Sequence, residues 1–255
     1  MNEKAVAGLS DRLAKLNNEI RDTTHANQRP KDAATLLILD RTAGAPLRVL
    51  MGRRHMRHRF FPGAYVFPGG KVDVADSFVP VATPYDEATA AKIGHDLKRP
   101  KTTARARAFG VAAIRETFEE AGLFIGTRAD GNAPKLKGDM AAFSERSIAI
   151  ALDRLRFVAR AITPPRRPRR FDTRFFACFA GDIVDRLEAG VGPSGELEDV
   201  AWLTIEEAKK TQIPPITVAI LDEIEDRLAS DPTLDPTAPI PYYRWVGKTF
   251  QRSLI

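Results

Sequence analysis

The sequence predicts an α/β fold of the α+β type, layered about one core. Three observations carry this. Strand-patterned apolar runs lie before and after a central helical segment, residues 103–121. Further helical patterns come late, after Thr204 and over Ile216–Leu228. No internal repeat or heptad pattern points to another architecture. At 255 residues the chain is long enough to bury a core unaided. With 44% hydrophobic and 28% charged residues, it is not a wholly disordered chain.

The elements follow in order. Residues 1–30 are polar, with Leu13, Leu16 and Ile20 at helical spacing within Ser10–Ile20. Thr23–Lys31 has no period, so residues 1–31 read as a helix-and-linker extension. Ala33–Leu39 is a buried strand, Asp40–Pro46 a turn, and Leu47–Met51 the second strand of a hairpin. Ala64–Phe67 is a short strand ending at the turn Pro68-Gly69-Gly70. Residues 77–102 hold prolines, glycines and charges and read as an insertion outside the core. The helix over 103–121 is closed by Gly122. Leu155–Ile162 and Thr173–Ala180 are strands, joined by the basic, proline-rich Thr163–Arg170. Val200–Leu203 leads into a helix capped by Thr204, with Glu207 three residues on. Residues 32–212 form the main domain and 213–255 a C-terminal helical extension.

The net charge is +6, concentrated in Arg53–Arg59 and Arg166–Arg170. Such patches suit phosphorylated small molecules as well as nucleic acid, and solvated loops explain them equally. The longest apolar run, Ala33–Leu39, is too short to span a bilayer, so no membrane partner is expected. Met1-Asn2-Glu3-Lys4 does not open a signal peptide. Cys178, the only cysteine, lies in the apolar run Phe175–Phe179 and reads as a buried small hydrophobe. A reducing cytoplasm is the expected location.

The chemistry concentrates in Ala108–Ala121. Val111, Ile114, Phe118 and Ala121 form one apolar stripe, and Glu116, Glu119 and Glu120 fall roughly opposite. Three carboxylates within one turn repel each other. Arg115 can pair with Glu119 but leaves the other two over. A hard divalent cation would answer the excess, since Mg²⁺ takes oxygen ligands together with substrate phosphates. On the helix alone, a solvated acidic face explains the pattern as well. The upstream Phe67-Pro68-Gly69-Gly70 adds a turn where backbone can approach an ion or phosphate closely.

Gly70, five residues, then Asp76, and later Arg115-Glu116-Thr117-Phe118-Glu119-Glu120-Ala121-Gly122-Leu123, resemble the Nudix box. That box is glycine, five residues, glutamate, seven residues, then Arg-Glu-U-x-Glu-Glu-x-Gly-U, with U a bulky apolar residue. Arg115, Glu116, Glu119, Glu120 and Gly122 match its second half. Asp76 replaces a glutamate, Thr117 replaces an apolar residue, and 38 residues rather than seven separate Asp76 from Arg115. Tyr65–Asp73, the insertion, and Ile162–Phe176 are similar to the split-box branch containing the peroxisomal coenzyme A diphosphatases. The resemblance covers about residues 32–212.

The resemblance implies an α/β/α sandwich with a mixed sheet, an insertion before the catalytic helix and extra terminal helices. It implies a diphosphatase acting on a nucleoside diphosphate derivative. Glu116, Glu119, Glu120 and the Gly69 carbonyl would hold Mg²⁺ or Mn²⁺, Arg115 would orient the carboxylates, and Glu116 would accept the proton of the attacking water. Glu196 and Glu198 are candidates for a further acid from a later loop. Arg53, Arg54 and Arg57, with Phe67 and Gly70, are the candidate substrate contacts. His55-x-x-His58 has no Cys or third His beside it and reads as a solvated loop. Coenzyme A or acyl-CoA leads as substrate class; ADP-ribose and dinucleotides follow. A non-catalytic nucleotide sensor and an RNA-processing enzyme are the rivals. The sensor has no use for three repelling acids, and for RNA processing the sequence offers no aromatic-interleaved single-strand platform. A homodimer remains an open partner assignment.

Overall fold

The structure, a computed structural model, describes residues 3–18, 24–57, 62–98, 100–129 and 134–255. Its centre is β1 (Lys31–Asp40), a strand apolar on both faces. Side chains alternate across a strand. Ala34, Leu36 and Ile38 therefore join one core cluster, and Leu37 and Leu39 a second on the opposite face.

A helix α1 (Glu3–Asn18) precedes β1, and β2 (Arg48–Arg54) follows it as its antiparallel hairpin partner. Next come β3 (Tyr65–Val66) and β4 (Gly69–Lys71), then a single 3₁₀ turn at Ala75–Phe78. The helices α2 (Glu87–Gly94) and α3 (Thr103–Ala121) lead to β5 (Leu123–Ile125) and β6 (Thr127–Arg128). After α4 (Ala141–Glu145) the chain runs through β7 (Ile148–Ala149), β8 (Arg156–Ile162), β9 (Phe171–Phe179), β10 (Ile183–Arg186) and β11 (Leu197–Thr204). It finishes with α5 (Ile205–Lys210), α6 (Pro215–Ser230), β12 (Pro241–Val246) and β13 (Thr249–Leu254).

The main sheet is mixed, in the order β11-β2-β1-β9-β8-β12-β13, with β3 paired to β2 and β4 to β1. β1–β9 and β8–β12 are parallel; the other pairings are antiparallel. α3 supplies one core cluster and α6 the other, giving three layers, α/β/α. α3 starts at the Thr102 cap, whose hydroxyl accepts the Arg105 N–H, and stops at Gly122 with φ of 67°. At α5 the Thr204–Glu207 capping box forms with both bonds made.

Two expectations need correction. The insertion is not wholly outside the core: Tyr85, Ile93 and Leu97 are buried in the cluster around α3, although Phe78 is 80% exposed. Tyr85 packs so tightly on α3 that a Cβ at Gly110 would lie 2.3 Å from its Oη. The segment 213–255 is helical only to Ser230; β12 and β13 then extend the main sheet. The alternation of Pro241-Tyr242-Tyr243-Arg244-Trp245-Val246 and the turn at Gly247 were the signal for that hairpin. Ile20, like Arg59 and His58, lies outside the described residues.

α1 lies against this C-terminal part. Leu16 is buried with α6 and Phe250, Asn17 Oδ1 accepts the Phe250 N–H at 2.7 Å, and Arg12 pairs with Asp222, Glu223 and Asp226.

Candidate active site

The Pro-Gly-Gly segment is not an open turn. It is pinned to β1, with Leu36 N–H donating to Pro68 O at 3.0 Å and with Thr35 opposite Gly69 and Ala34 opposite Gly70. Both glycines are closely approached, Gly69 by the β1 backbone and Gly70 by a side chain. A Cβ on Gly69 would meet Thr35 Oγ1 at 2.5 Å. A Cβ on Gly70 would meet the carboxylate carbon of Glu116 at 2.4 Å. The Glu116 carboxylate thus rests on bare backbone, and the Gly69 N–H donates to Glu120 Oε2 at 2.9 Å.

Arg115 organises the acids. Its Nε and Nη2 donate to Asp76 at 2.9 and 3.2 Å, its Nη1 to Glu116 at 2.9 Å and to Glu119 at 3.2 Å. Nη2 also reaches the Lys71 carbonyl at 3.1 Å. Asp76, 2% exposed, receives the Asp73 N–H on its other side. The two halves of the split motif therefore meet. Thr117 fits a fully buried position because its hydroxyl donates to Ala113 O at 2.7 Å.

The glutamate face is not solvated. Glu120 is 4% exposed. Burial pushes its carboxyl up to about 8; the Gly69 N–H opposes this, and Glu116 and Glu196 add repulsion. Burial likewise raises Glu116 to about 7, against the pull of Arg115. Glu119 is raised by burial and eased by Arg115. Burial works against the Arg115 charge, but Asp76, Glu116 and Glu119 outweigh it and hold the guanidinium above its ordinary value.

A cleft of about 400 Å³ opens here. Glu116, Glu120, Phe67, Gly69, Gly70 and Arg54 line it, and Glu196 stands with them. Glu196 is placed by the loop before β11, where Gly192 N–H and Ser194 N–H donate to the carbonyls of Glu120 and Glu119. Glu119 does not line the cleft; Arg115 holds both its oxygens. Arg53 and Arg57 do not line it either. Arg53 faces Glu198 at 3.6 Å, and Arg57 is exposed and turned to His55 Nδ1. Glu198 is taken up by His55 at 3.2 Å and by Arg53. Two cations that line the cleft, Lys71 and Arg169, were not among the expected contacts. Arg169 sits in the basic run before β9, and its parity with Phe171 and Thr173 was the available signal.

Among the described residues, no three Asp, Glu, His or Cys side chains converge as a ready-made metal cage. The donor chemistry nevertheless suits a hard cation. A buried carboxylate, Glu120, and a half-buried one, Glu116, share the cleft and repel each other, and Glu196 repels both. Mg²⁺ is ordinarily held by one or two carboxylates plus substrate phosphates and water, not by an all-protein cage.

The family model for the NUDT19 Nudix domain matches residues 30–160. The Caenorhabditis elegans protein named nudix hydrolase 7 is 30% identical over 201 residues, 72% of this chain and 57% of that protein. The acyl-coenzyme A diphosphatase NUDT19 of Xenopus laevis is 28% identical over 131 residues, 37% of this chain and 34% of that protein. The matches thus span less than two thirds of either relative. A solved NUDIX hydrolase from Alicyclobacillus acidocaldarius aligns at a TM-score of 0.55 and 27% identity, over 76% of this chain and 90% of that one. The matched region runs from β1 through Asp76, Arg115 and the glutamates of α3 to β8, and by that match the chain belongs to the Nudix hydrolases, in the family of the NUDT19 Nudix domain.

Proposed function

We propose that the chain hydrolyses the diphosphate linkage of coenzyme A or an acyl-CoA with Mg²⁺ or Mn²⁺. The observation that carries the hydrolytic reading is the meeting of Glu116 and Glu120 on the Gly69–Gly70 backbone, in a cleft shared with Glu196. The coenzyme A reading is supported by the similarity to an acyl-coenzyme A diphosphatase.

A diphosphate repels an anionic nucleophile. A bound divalent cation supplies charge neutralisation and a more acidic water. Glu116 and Glu120 would hold it. The chain's own groups do the rest. Arg115 fixes the Glu116 rotamer from behind, so the carboxylate cannot swing away from Gly70. Arg54, Lys71 and Arg169 present positive charge to phosphate oxygens along the cleft. A Glu116 oxygen would also accept the proton of the attacking water. The Gly69 N–H keeps Glu120 oriented during turnover.

The test is a hydrolysis screen with Mg²⁺ and Mn²⁺ over CoA, acyl-CoA, ADP-ribose, NADH and diadenosine polyphosphates, products identified by mass. Release of a 3′,5′-bisphosphorylated adenosine nucleotide from CoA is the expected result. Preference for ADP-ribose or a dinucleotide would replace the substrate reading while keeping the hydrolytic one.

A further inference from the structure

A second cluster of charges is buried on the α3 side of the sheet. β1 and β9 run parallel there, with Asp32 opposite Asp172 and Ala34 opposite Arg174. Asp32, Asp172 and Arg174 are buried, as is Arg160 of β8. Both carboxylates are fully engaged. Arg160 holds Asp172 through two bonds, at 2.8 and 2.9 Å. Lys98 donates to one oxygen of Asp32 at 2.8 Å, and Arg105 to the other. The cluster thus sets four cations against two buried acids. Asp96 acts on Arg160 as a further acid, but from an exposed position where it faces His95.

Arg174 is the cation left over. Its Nη1 lies 3.6 Å from an Asp172 oxygen that Arg160 already occupies. Its Nε and Nη1 find no hydrogen-bond partner among the described residues. The guanidinium sits 3.8 Å from the centre of the Phe109 ring, which closes one of its faces. A second orphan stands near. The Tyr85 ring stacks on Phe176, two positions along β9 from Arg174. The Tyr85 hydroxyl, buried against Gly110, has no acceptor for its proton among the described residues. Arg174 is near enough to act on that hydroxyl electrostatically.

A buried guanidinium with idle donors is costly. Two N–H groups and one O–H group, idle within an excess of positive charge, have the chemistry of an anion receptor. Phe109, Phe176 and Tyr85 pack around them, which favours a monoatomic anion over sulfate or phosphate. We propose that the Arg174 guanidinium and the Tyr85 hydroxyl bind a halide ion, chloride in ordinary solution. Tyr85 and Lys98 both belong to the insertion, so the anion ties that segment to β9 where the cations would otherwise repel one another.

The test uses the metal-free full chain at constant ionic strength, with chloride exchanged for gluconate. The wild-type melting midpoint should rise with the logarithm of chloride concentration. Tyr85→Phe keeps the ring and removes the donor. It should weaken the apparent chloride constant by at least about tenfold, the worth of a hydrogen bond to a charged group. Arg174→Met keeps a long stem over Phe109 and removes the charge, and its midpoint should not respond to chloride. Crystals of the wild type grown in bromide should show an anomalous peak between Arg174 and Tyr85. Equal wild-type midpoints in chloride and gluconate, or a water at that position in bromide, would overturn the site whether or not either variant folds. A chloride response that Tyr85→Phe leaves unchanged would place the anion elsewhere and overturn it as well.

Discussion

Asp76 and Arg115 lie 39 positions apart in the chain, yet their side chains form a two-bond pair at 2.9 and 3.2 Å. This pair fixes the register between the Gly-Gly strand and α3. Asp76 is buried, so removing it leaves the guanidinium without its main partner. Asp76→Ala should cost about 3–5 kcal/mol, read as a lower denaturation midpoint. Arg115→Lys should not restore the wild-type stability, because a point charge cannot serve Asp76, Glu116 and Glu119 as the fork does. A midpoint unchanged in Asp76→Ala would show that the pair is dispensable.

Gly70→Ala places a methyl where the Glu116 carboxylate now sits. The side chain must move by an ångström or more. Turnover should fall by about 10²-fold, as expected for misplacement on that scale. Far-ultraviolet circular dichroism should stay unchanged. Full activity would mean that the Glu116 position in this structure is not the working one.

Glu116→Gln keeps size and removes both charge and proton acceptor. Turnover should drop by about 10²–10⁴. The basic residues should divide by position. Arg169→Ala and Lys71→Ala line the cleft and should raise KM at little cost to kcat. Arg57→Ala, exposed and facing His55, should change neither. A raised KM in Arg57→Ala alone would move phosphate recognition to that loop.

Acidity and stability are linked through Glu116 and Glu120, whose carboxyls are held at about 7 and about 8. In an unfolded chain both titrate near about 4.3. Between those limits the folded protein binds more protons than the unfolded one, so stability falls as pH rises. Metal-free protein should lose melting temperature from pH 5 to pH 8 through these groups. Added Mg²⁺ should raise the melting temperature more at pH 8 than at pH 5.5, because a cation competes with protons for the same oxygens. A Mg²⁺ effect independent of pH would argue against these two as ligands.

Much of this was legible in the sequence. The hairpin, the helix over 103–121 and its Gly122 stop follow from local pattern and chirality. Spacing alone left a solvated face open for the Arg115–Glu120 segment; the Gly69–Gly70 turn and the resemblance to the Nudix box singled its acids out. Other features depended on contacts between distant segments. Glu119 looks equivalent to Glu116 on a helical wheel, but Arg115 turns it out of the cleft. The glycines look like a flexible turn until β1 is seen to pair with them. Tyr85 has an irregular sequence environment, and its burial comes from Gly110 on another element. Arg53 and Arg54 are neighbours with the same charge, yet strand alternation sends only Arg54 to the cleft.

The docking of α1 sets an order of assembly. This helix is made well before its partners, α6 and Phe250. At 5–20 residues per second, synthesis between them takes roughly 10–50 s. A lone 16-residue helix is marginal in water. Through that interval Leu16 has no burial site, and the wall it shares with Phe250 does not yet exist. The contacts of Glu116 with Gly70 and of Glu120 with Gly69 need only α3 and β4, so a nascent chain can make them before the apolar wall beside them closes.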